Sequence, residues 1–151
     1  MPVTLHRVDH RGWSTDDQTA LDLSRIYADA PAERLPAPAD DFIRDHLEGG
    51  GLFCCACFNG RLLGAVAVII DTEAWWLAYT CVRKTTRRRG VGSRLLALVG
   101  EAAAAERRML RVASATLQMG DQLLLTRLGY RASPEGDYFE LNPRSSWGGH
   151  Q

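Results

Sequence analysis

Arg87, Arg88 and Arg89 stand directly before Gly90, Val91 and Gly92, and that spacing suits phosphate chemistry. An apolar, strand-like run over residues 75–82 precedes the group, and a leucine- and alanine-rich run over residues 94–105 follows it. A basic, glycine-bearing loop is therefore expected between a strand and the start of a helix. The first N–H groups of a helix have no partner within it, and the helix dipole favours an anion there. Gly90 and Gly92 let the backbone approach a ligand with no Cβ in the way, and the three arginines add long-range attraction. The loop is not a nucleotide P-loop, which needs G-x-x-x-x-G-K-S/T, and it lacks the third glycine of a dinucleotide fingerprint. The expected ligand is phosphorylated.

The elements that would position this loop follow from periodicity and punctuation. Residues 3–8 alternate apolar and polar, as a first strand should. Ser14 with Asp17 reads as a helix-start box, and Leu21, Leu23, Ile26 and Tyr27 mark a helix ending near Ala30 and Pro31. Three prolines make residues 31–38 a loop, and residues 40–47 form a short second helix closed by Gly49, Gly50 and Gly51. Strands are expected over 52–58 and 61–70, joined by Asn59-Gly60, a strong hairpin signal. A third strand spans about 74–82 and completes an antiparallel meander. After the loop, Leu95, Leu96, Val99, Ala102 and Ala103 share a helical stripe, with Arg107 and Arg108 at its end. A short strand over 110–114, a helix over 121–128 stopped by Gly129, and a last strand over 138–141 complete the order β-α-α-β-β-β-α-β-α-β. One domain over residues 1–142 is expected, with residues 143–151, which include Trp147, as a mobile tail.

Written as Arg87-x-x-Gly90-x-Gly92, the loop matches Q/R-x-x-G-x-G/A and so resembles the pyrophosphate-binding signature of the GNAT N-acetyltransferases, which use acetyl-CoA. Leu128-Gly129-Tyr130 resembles the L-G-F/Y that closes the last helix of that family. The resemblance covers roughly residues 52–141. It implies an α/β (α+β) fold: a central mixed, mostly antiparallel sheet with a splayed strand at the acetyl-CoA site, flanked by about four helices. It also implies that Thr86, Arg87, Arg88, Arg89, Gly90, Val91, Gly92 and Ser93 hold the CoA pyrophosphate, with arginines near the 3′-phosphate. Thr80, Cys81 and Val82 would pair with the pantetheine arm like an added strand. Gln118 lies where the family often places an asparagine that touches CoA.

Within that superfamily, residues 22–27 (DLSRIY), 58–66 (FNGRLLGAV), 82–83 (VR) and 86–92 (TRRRGVG) resemble the PanZ/PanM-type acetyl-CoA sensors. Those proteins bind acetyl-CoA and promote maturation of, and regulate, aspartate decarboxylase. Here the chain is longer than that family's pattern between Ala30 and Gly51 and at its C-terminus, and Cys57 stands where an arginine is expected.

Acetyl transfer to an amine needs a base to deprotonate the ammonium and an acid to reprotonate the leaving thiolate. In many members of the superfamily the acid is a tyrosine four residues before the glycine of L-G-F/Y, and here that position is Leu125. Tyr79 and Tyr130 are substitute candidates. Glu73 is the candidate base, beside Asp71 and Thr72 in what also reads as a turn. His6, His10 and His46 read as surface or core polar groups, with no catalytic pair among them. Trp75 and Trp76, adjacent on a strand, must face opposite sides, and such aromatic area marks either core or a contact surface. Two functions are expected from these residues. One is an N-acetyltransferase moving acetyl from acetyl-CoA to an unidentified small amine or protein acceptor. The other is a non-catalytic acetyl-CoA sensor acting on aspartate decarboxylase.

Composition narrows the field further. The 151 residues carry 18 basic and 18 acidic side chains, so no global field attracts nucleic acid, and the basic character is concentrated at residues 83–89. Cys54, Cys55, Cys57 and Cys81 lack the paired spacings of a zinc site and read as small core residues in a reducing compartment, so no metal is expected. Residues 1–10 carry no signal-peptide core, and no apolar run reaches membrane length. A soluble, cytoplasmic protein is expected.

Overall fold

The computed structural model describes residues 2–143. Among the described residues seven strands and five α-helices follow in the order β1 (Thr4–Val8), α1 (His10–Thr15), α2 (Asp17–Ala28), α3 (Ala39–Glu48), β2 (Leu52–Phe58), β3 (Arg61–Ile70), β4 (Ala74–Val82), α4 (Val91–Ala105), β5 (Met109–Ala113), α5 (Met119–Arg127), β6 (Arg131–Ala132) and β7 (Tyr138–Leu141). The strand order is β1-β2-β3-β4-β5-β7-β6. β1–β2, β2–β3, β5–β7 and β6–β7 pair antiparallel, and β4–β5 pair parallel. The expected mixed, mostly antiparallel sheet is therefore present. Of the tail expected from Pro143 onward, all but Pro143 lies outside the described residues.

The chain divides into two compact units, residues 1–69 with 79–99, and residues 70–78 with 100–151. In the first, Asn59 and Gly60 both take positive φ, 51° and 73°, which is what a two-residue hairpin turn demands, and Phe58 faces Arg61 across it. Cys54 and Cys55 are both fully buried, so both faces of β2 are covered. The register slips between Ala56 and Cys57, leaving Cys57 half-buried.

The N-terminal helices depart from expectation. Residues 10–15 form a separate helix, capped by the Asp9 carboxylate on the Gly12 N–H at 2.8 Å. Asp16, not Ser14, caps α2: its carboxylate accepts from the Gln18 and Thr19 N–H groups. Ser14 lies inside the preceding helix, where its hydroxyl donates to the Arg11 carbonyl. The physical reason is a competition between acceptors, since a carboxylate beside the first N–H groups is stabilised by the helix dipole as well as by its hydrogen bonds.

α2 packs Leu23, Ile26 and Tyr27, all buried, against Phe42 and Leu47 of α3 and Phe53 of β2. Asp22, on the same helix, is also buried. Its carboxylate takes Arg61 Nη2 at 2.7 Å, Arg61 Nε at 3.1 Å, the Leu62 N–H at 3.0 Å and Gln18 Nε2 at 2.8 Å. Burial alone would raise the pKa of this acid; the Arg61, Leu62 and Gln18 bonds outweigh it and hold the acid below its ordinary value. α2 is thereby fixed to the β2–β3 hairpin.

In the second unit Asp71 shapes the entry to β4. One carboxylate oxygen accepts from the Glu73 and Ala74 N–H groups at 2.8 Å each, the other from Trp76 Nε1 at 2.8 Å. Arg111 binds Glu140 at 2.6 Å and Glu73 at 3.3 Å. Its guanidinium lies 4.9 Å from the Tyr138 ring centre and 5.6 Å from that of Trp76. α5 ends as expected at Gly129, whose φ of 97° only glycine adopts freely. The two-residue strand β6 was not anticipated, being too short to show alternation.

Candidate functional site

The loop between β4 and α4 winds through two tight turns before the helix starts. Both the N–H and the hydroxyl of Thr86 donate to the Arg83 carbonyl at 3.0 Å. The Arg87 N–H donates to Lys84 and the Arg89 N–H to Thr86, each at 3.3 Å. Thr86 and the amides of Arg87 and Arg89 are thus engaged in building the loop. The first helical bond of α4 runs from the Arg94 N–H to the Gly90 carbonyl at 3.0 Å. The Val91, Gly92 and Ser93 amides precede it, at the positions that an α-helix leaves without an intrahelical acceptor.

The two glycines of the motif have different reasons. Gly90 has φ 76°, and a Cβ there would meet nothing within 4 Å, so conformation and not crowding calls for glycine. At Gly92 a Cβ would touch only Val82 Cγ2, at an ordinary 3.4 Å. Gly64 was quoted from sequence only as part of the 58–66 segment; here a Cβ would come within 3.2 Å of Val82 and 3.3 Å of the Cys81 carbonyl, and its small size lets β3 lie close to β4.

The last turn of α2 braces this region. Asp29, its C-terminal cap, accepts from Arg83 Nε at 3.0 Å and from the Lys84 N–H at 2.9 Å. The Asp29 carbonyl accepts from Arg87 Nη2 at 2.9 Å. The Lys84 N–H above all, with Arg83 behind it and slight burial opposing, holds the Asp29 carboxyl below its ordinary range. Within the same turn, the Tyr27 hydroxyl donates to the Tyr79 carbonyl at 2.8 Å, and the Cys81 thiol donates to the Ile26 carbonyl at 3.3 Å. Burial pushes the Cys81 thiol pKa up, so it remains a thiol. Tyr79 is held at φ 54°, a left-handed conformation that costs a bulky residue on the order of 1–3 kcal/mol. The next residue, Thr80, is exposed. Asp29 was not singled out from sequence, and Tyr27 was read there only as a helix residue within the 22–27 segment, with no role toward β4.

The acid and base candidates are occupied with structural contacts. The Tyr79 ring packs edge-on against Phe42 at 5.1 Å. Tyr130 is buried, and burial drives its phenol pKa well up. Glu73 is the turn residue beside Asp71, with its carboxylate on Arg111. His46 Nε2 lies 2.8 Å from the Leu52 carbonyl, with its ring against Phe53, and His10 packs on Trp13. Leu125 is buried in α5. Gln118 caps α5, its N–H donating to Asp121 at 2.9 Å. Trp75 is fully buried and Trp76 half-buried. The loop, Tyr79, Thr80, Cys81 and Val82 fall in the first unit; Glu73, Gln118, Leu125 and Tyr130 fall in the second. Among the described residues, no three or more His, Cys, Asp or Glu side chains converge as metal ligands would, and no helix is long and apolar enough to cross a membrane.

Comparison with known proteins agrees with this picture. The family model for the acetyltransferase (GNAT) domain, PanZ, matches residues 3–126. A PanD regulatory factor of Salmonella typhimurium is 36% identical over 96 residues, which are 64% of this chain and 65% of that protein's length. A GNAT-family acetyltransferase structure from Desulfovibrio desulfuricans superposes with a TM-score of 0.67 at 17% identity, covering 94% of this chain and 99% of the other. An aminoglycoside 6'-N-acetyltransferase complexed with coenzyme A gives 0.68 at 12% identity, covering 93% and 97%. At such identities the structural likeness speaks to the fold, and the expected fold is the one observed.

Proposed function

The chain belongs to the PanZ acetyltransferase (GNAT) domain family, and from that premise we propose that it binds acetyl-CoA and relays the bound state to a protein partner of the aspartate decarboxylase kind. The observation that carries the binding half is the loop. A strand end, a left-handed Gly90 and the open first turn of α4 put three amides, with Arg88 and Arg89 alongside, where a pyrophosphate is stabilised by both donors and dipole. Val91, Gly92 and Ser93 would supply the amides, and Thr80, Cys81 and Val82 the strand along which the pantetheine arm lies. The partner half rests on the acid–base candidates, each of which is engaged in packing, a turn or an ion pair, and on the likeness to a PanD regulatory factor.

A second function is supported by the fold shared with acetyltransferases, namely acetyl transfer to an amine, with a tyrosine as the proton donor. CoA release over a broad amine panel, run beside a pull-down of aspartate decarboxylase with and without acetyl-CoA, separates the two. Binding itself is tested by melting. Acetyl-CoA at about 100 times its Kd stabilises the folded state by about 2.7 kcal/mol, or about 5–10 °C for a domain of this size. Gly92→Asp is expected to abolish that shift while leaving the unliganded melting point equal or higher. Its Cβ has room beside Val82, and an acidic residue in the first helical turn is favourable. A full ligand shift in Gly92→Asp would show that the phosphate loop was misassigned.

A further inference from the structure

α5 turns most of its large apolar side chains outward. Within Met119–Arg127 Leu125 alone is buried. Met119, Leu123 and Leu124, with Leu128 at the C-terminal cap, are between 44% and 72% exposed. Large apolar side chains scattered singly over a surface need no explanation, whereas a contiguous cluster marks a contact. Among the described residues seven large hydrophobics are exposed, and these four share one helix. At 3.6 residues per turn they occupy one side of α5 and Leu125 the other. Gly120 lies on the same side as the four, and a Cβ there would meet nothing within 4 Å, which leaves a notch in the cluster.

The order of residues along α5 selects what fits this face. Met119 stands four residues before the Leu123–Leu124 pair and Leu128 four residues after it. Asp121 and Arg127 flank the same pair, the acid toward the start of the helix and the base toward its end. A second α5 laid antiparallel on the first, with a two-fold axis at that pair, sets Met119 against Leu128 and Leu123 against Leu124. It also brings Arg127 beside Asp121 and the Gly120 notch. Every contact then occurs twice, and an isologous interface requires self-complementarity of this kind in both shape and charge. We propose that this face of α5 is a self-association surface, covered by the α5 of a second copy of the chain. The proposal is independent of the acetyl-CoA reading.

The test is sedimentation of the unaltered chain over a range of concentrations. A helix pair this short buries less than the roughly 1,200 Å² at the lower end of stable interfaces, so a reversible dimer with a Kd on the order of 0.1 mM is expected. Leu123→Glu with Leu124→Glu is expected to give a folded monomer, because both side chains are exposed and glutamate is as good a helix former as leucine. Arg127→Glu is expected to weaken the dimer by roughly 5–10-fold, since two symmetry-related pairs turn repulsive together, and added salt narrows that gap. Leu124→Cys, beside the axis, is expected to yield a disulfide-linked dimer under oxidising conditions, and Glu135→Cys, exposed in the turn before β7, is not. A chain that stays monomeric at about 1 mM, or that dimerises equally well with both glutamates, overturns the proposal. So does a monomer whose paired-glutamate variant no longer captures aspartate decarboxylase, which would assign the face to that partner. Should the glutamate variant fail to fold, the cysteine variants decide: linkage as ready through Glu135→Cys as through Leu124→Cys sinks the assignment.

Discussion

Asp29 offers the sharpest test of whether the proposed phosphate loop is held ready in advance. Its carboxylate takes the Arg83 guanidinium at 3.0 Å and the Lys84 N–H at 2.9 Å, with side chains of Asp29 and Arg83 only 21% and 27% exposed. Asp29→Ala removes both bonds and leaves the carbonyl contact to Arg87 available. Hydrogen bonds to charged groups are worth about 1.5–3 kcal/mol each when shielded, and partial exposure pulls the pair of them down to about 2 kcal/mol in total. A second effect has the opposite sign, because deleting a negative charge favours an anionic ligand. For charges about 10 Å apart in a water-like dielectric that gain is about 0.4 kcal/mol. The brace therefore wins. If the braced loop is the binding-competent form, apparent affinity falls with the fraction that remains braced, up to about ten-fold for a net loss near 1.5 kcal/mol. Isothermal titration with acetyl-CoA at two salt concentrations measures both effects, since the charge effect is screened and the ordering effect is not. A lowered melting point with an unchanged Kd would refute the reasoning, showing that Asp29 supports the fold and not the loop. Asp29→Asn, which keeps one acceptor for the Lys84 N–H, is expected to lie between.

Two further outcomes follow from buried groups. Asp22 is held below its ordinary pKa by Arg61, Leu62 and Gln18 against the cost of burial, so its contribution is complete above the unfolded value of about 3.9 and disappears as pH falls through the folded pKa. Asp22→Asn is expected to cost about 1–3 kcal/mol at pH 7 with a gap that closes on acidification, and melting curves in which the gap stays constant from pH 7 to pH 3 would contradict this. Leu125→Tyr, at a buried position of α5, is expected to lower stability by about 1–3 kcal/mol through overpacking and to leave CoA release from acetyl-CoA unchanged; a rise of the order of a hundred-fold, within the range of general-acid assistance, would favour the acetyltransferase function over the sensor.

Which parts were legible in the chain depends on how local their causes are. The β2–β3 hairpin was read to the residue because Asn59-Gly60 dictates its own turn. The loop between β4 and α4 was read because strand, glycine and helix start are consecutive. The start of α2 was misplaced because Ser14, Asp9 and Asp16 all carry capping side chains, and only the folded geometry decides which oxygen meets which N–H. The contacts made by Tyr27, Asp29 and Gly64 were not legible for a different reason. Each acts on a partner remote in the chain: Tyr27 on Tyr79, Asp29 on Arg83 and Gly64 on Val82.

Those remote contacts converge on one turn of helix. Ile26, Tyr27 and Asp29 lie within four consecutive residues, yet they reach Cys81, Tyr79, and the Arg83–Lys84–Arg87 group respectively. Successive backbone and side-chain groups at the end of α2 thus fix successive points along β4 and into the loop. A strand held by its neighbours in a sheet has its amides and carbonyls committed to the ladder. A strand segment held from one face by a helix end needs fewer of them for its own support. The same arrangement explains why Asp22 is worth its burial: bonded to Arg61 and the Leu62 N–H, it fixes the register of α2 on the β2–β3 hairpin two turns before the clamp. A helix free to slide or rotate would carry Tyr27 and Asp29 off their targets. The buried charge at Asp22 and the strained conformation at Tyr79 are therefore two ends of one device, the first setting where α2 sits and the second recording what its last turn holds in place.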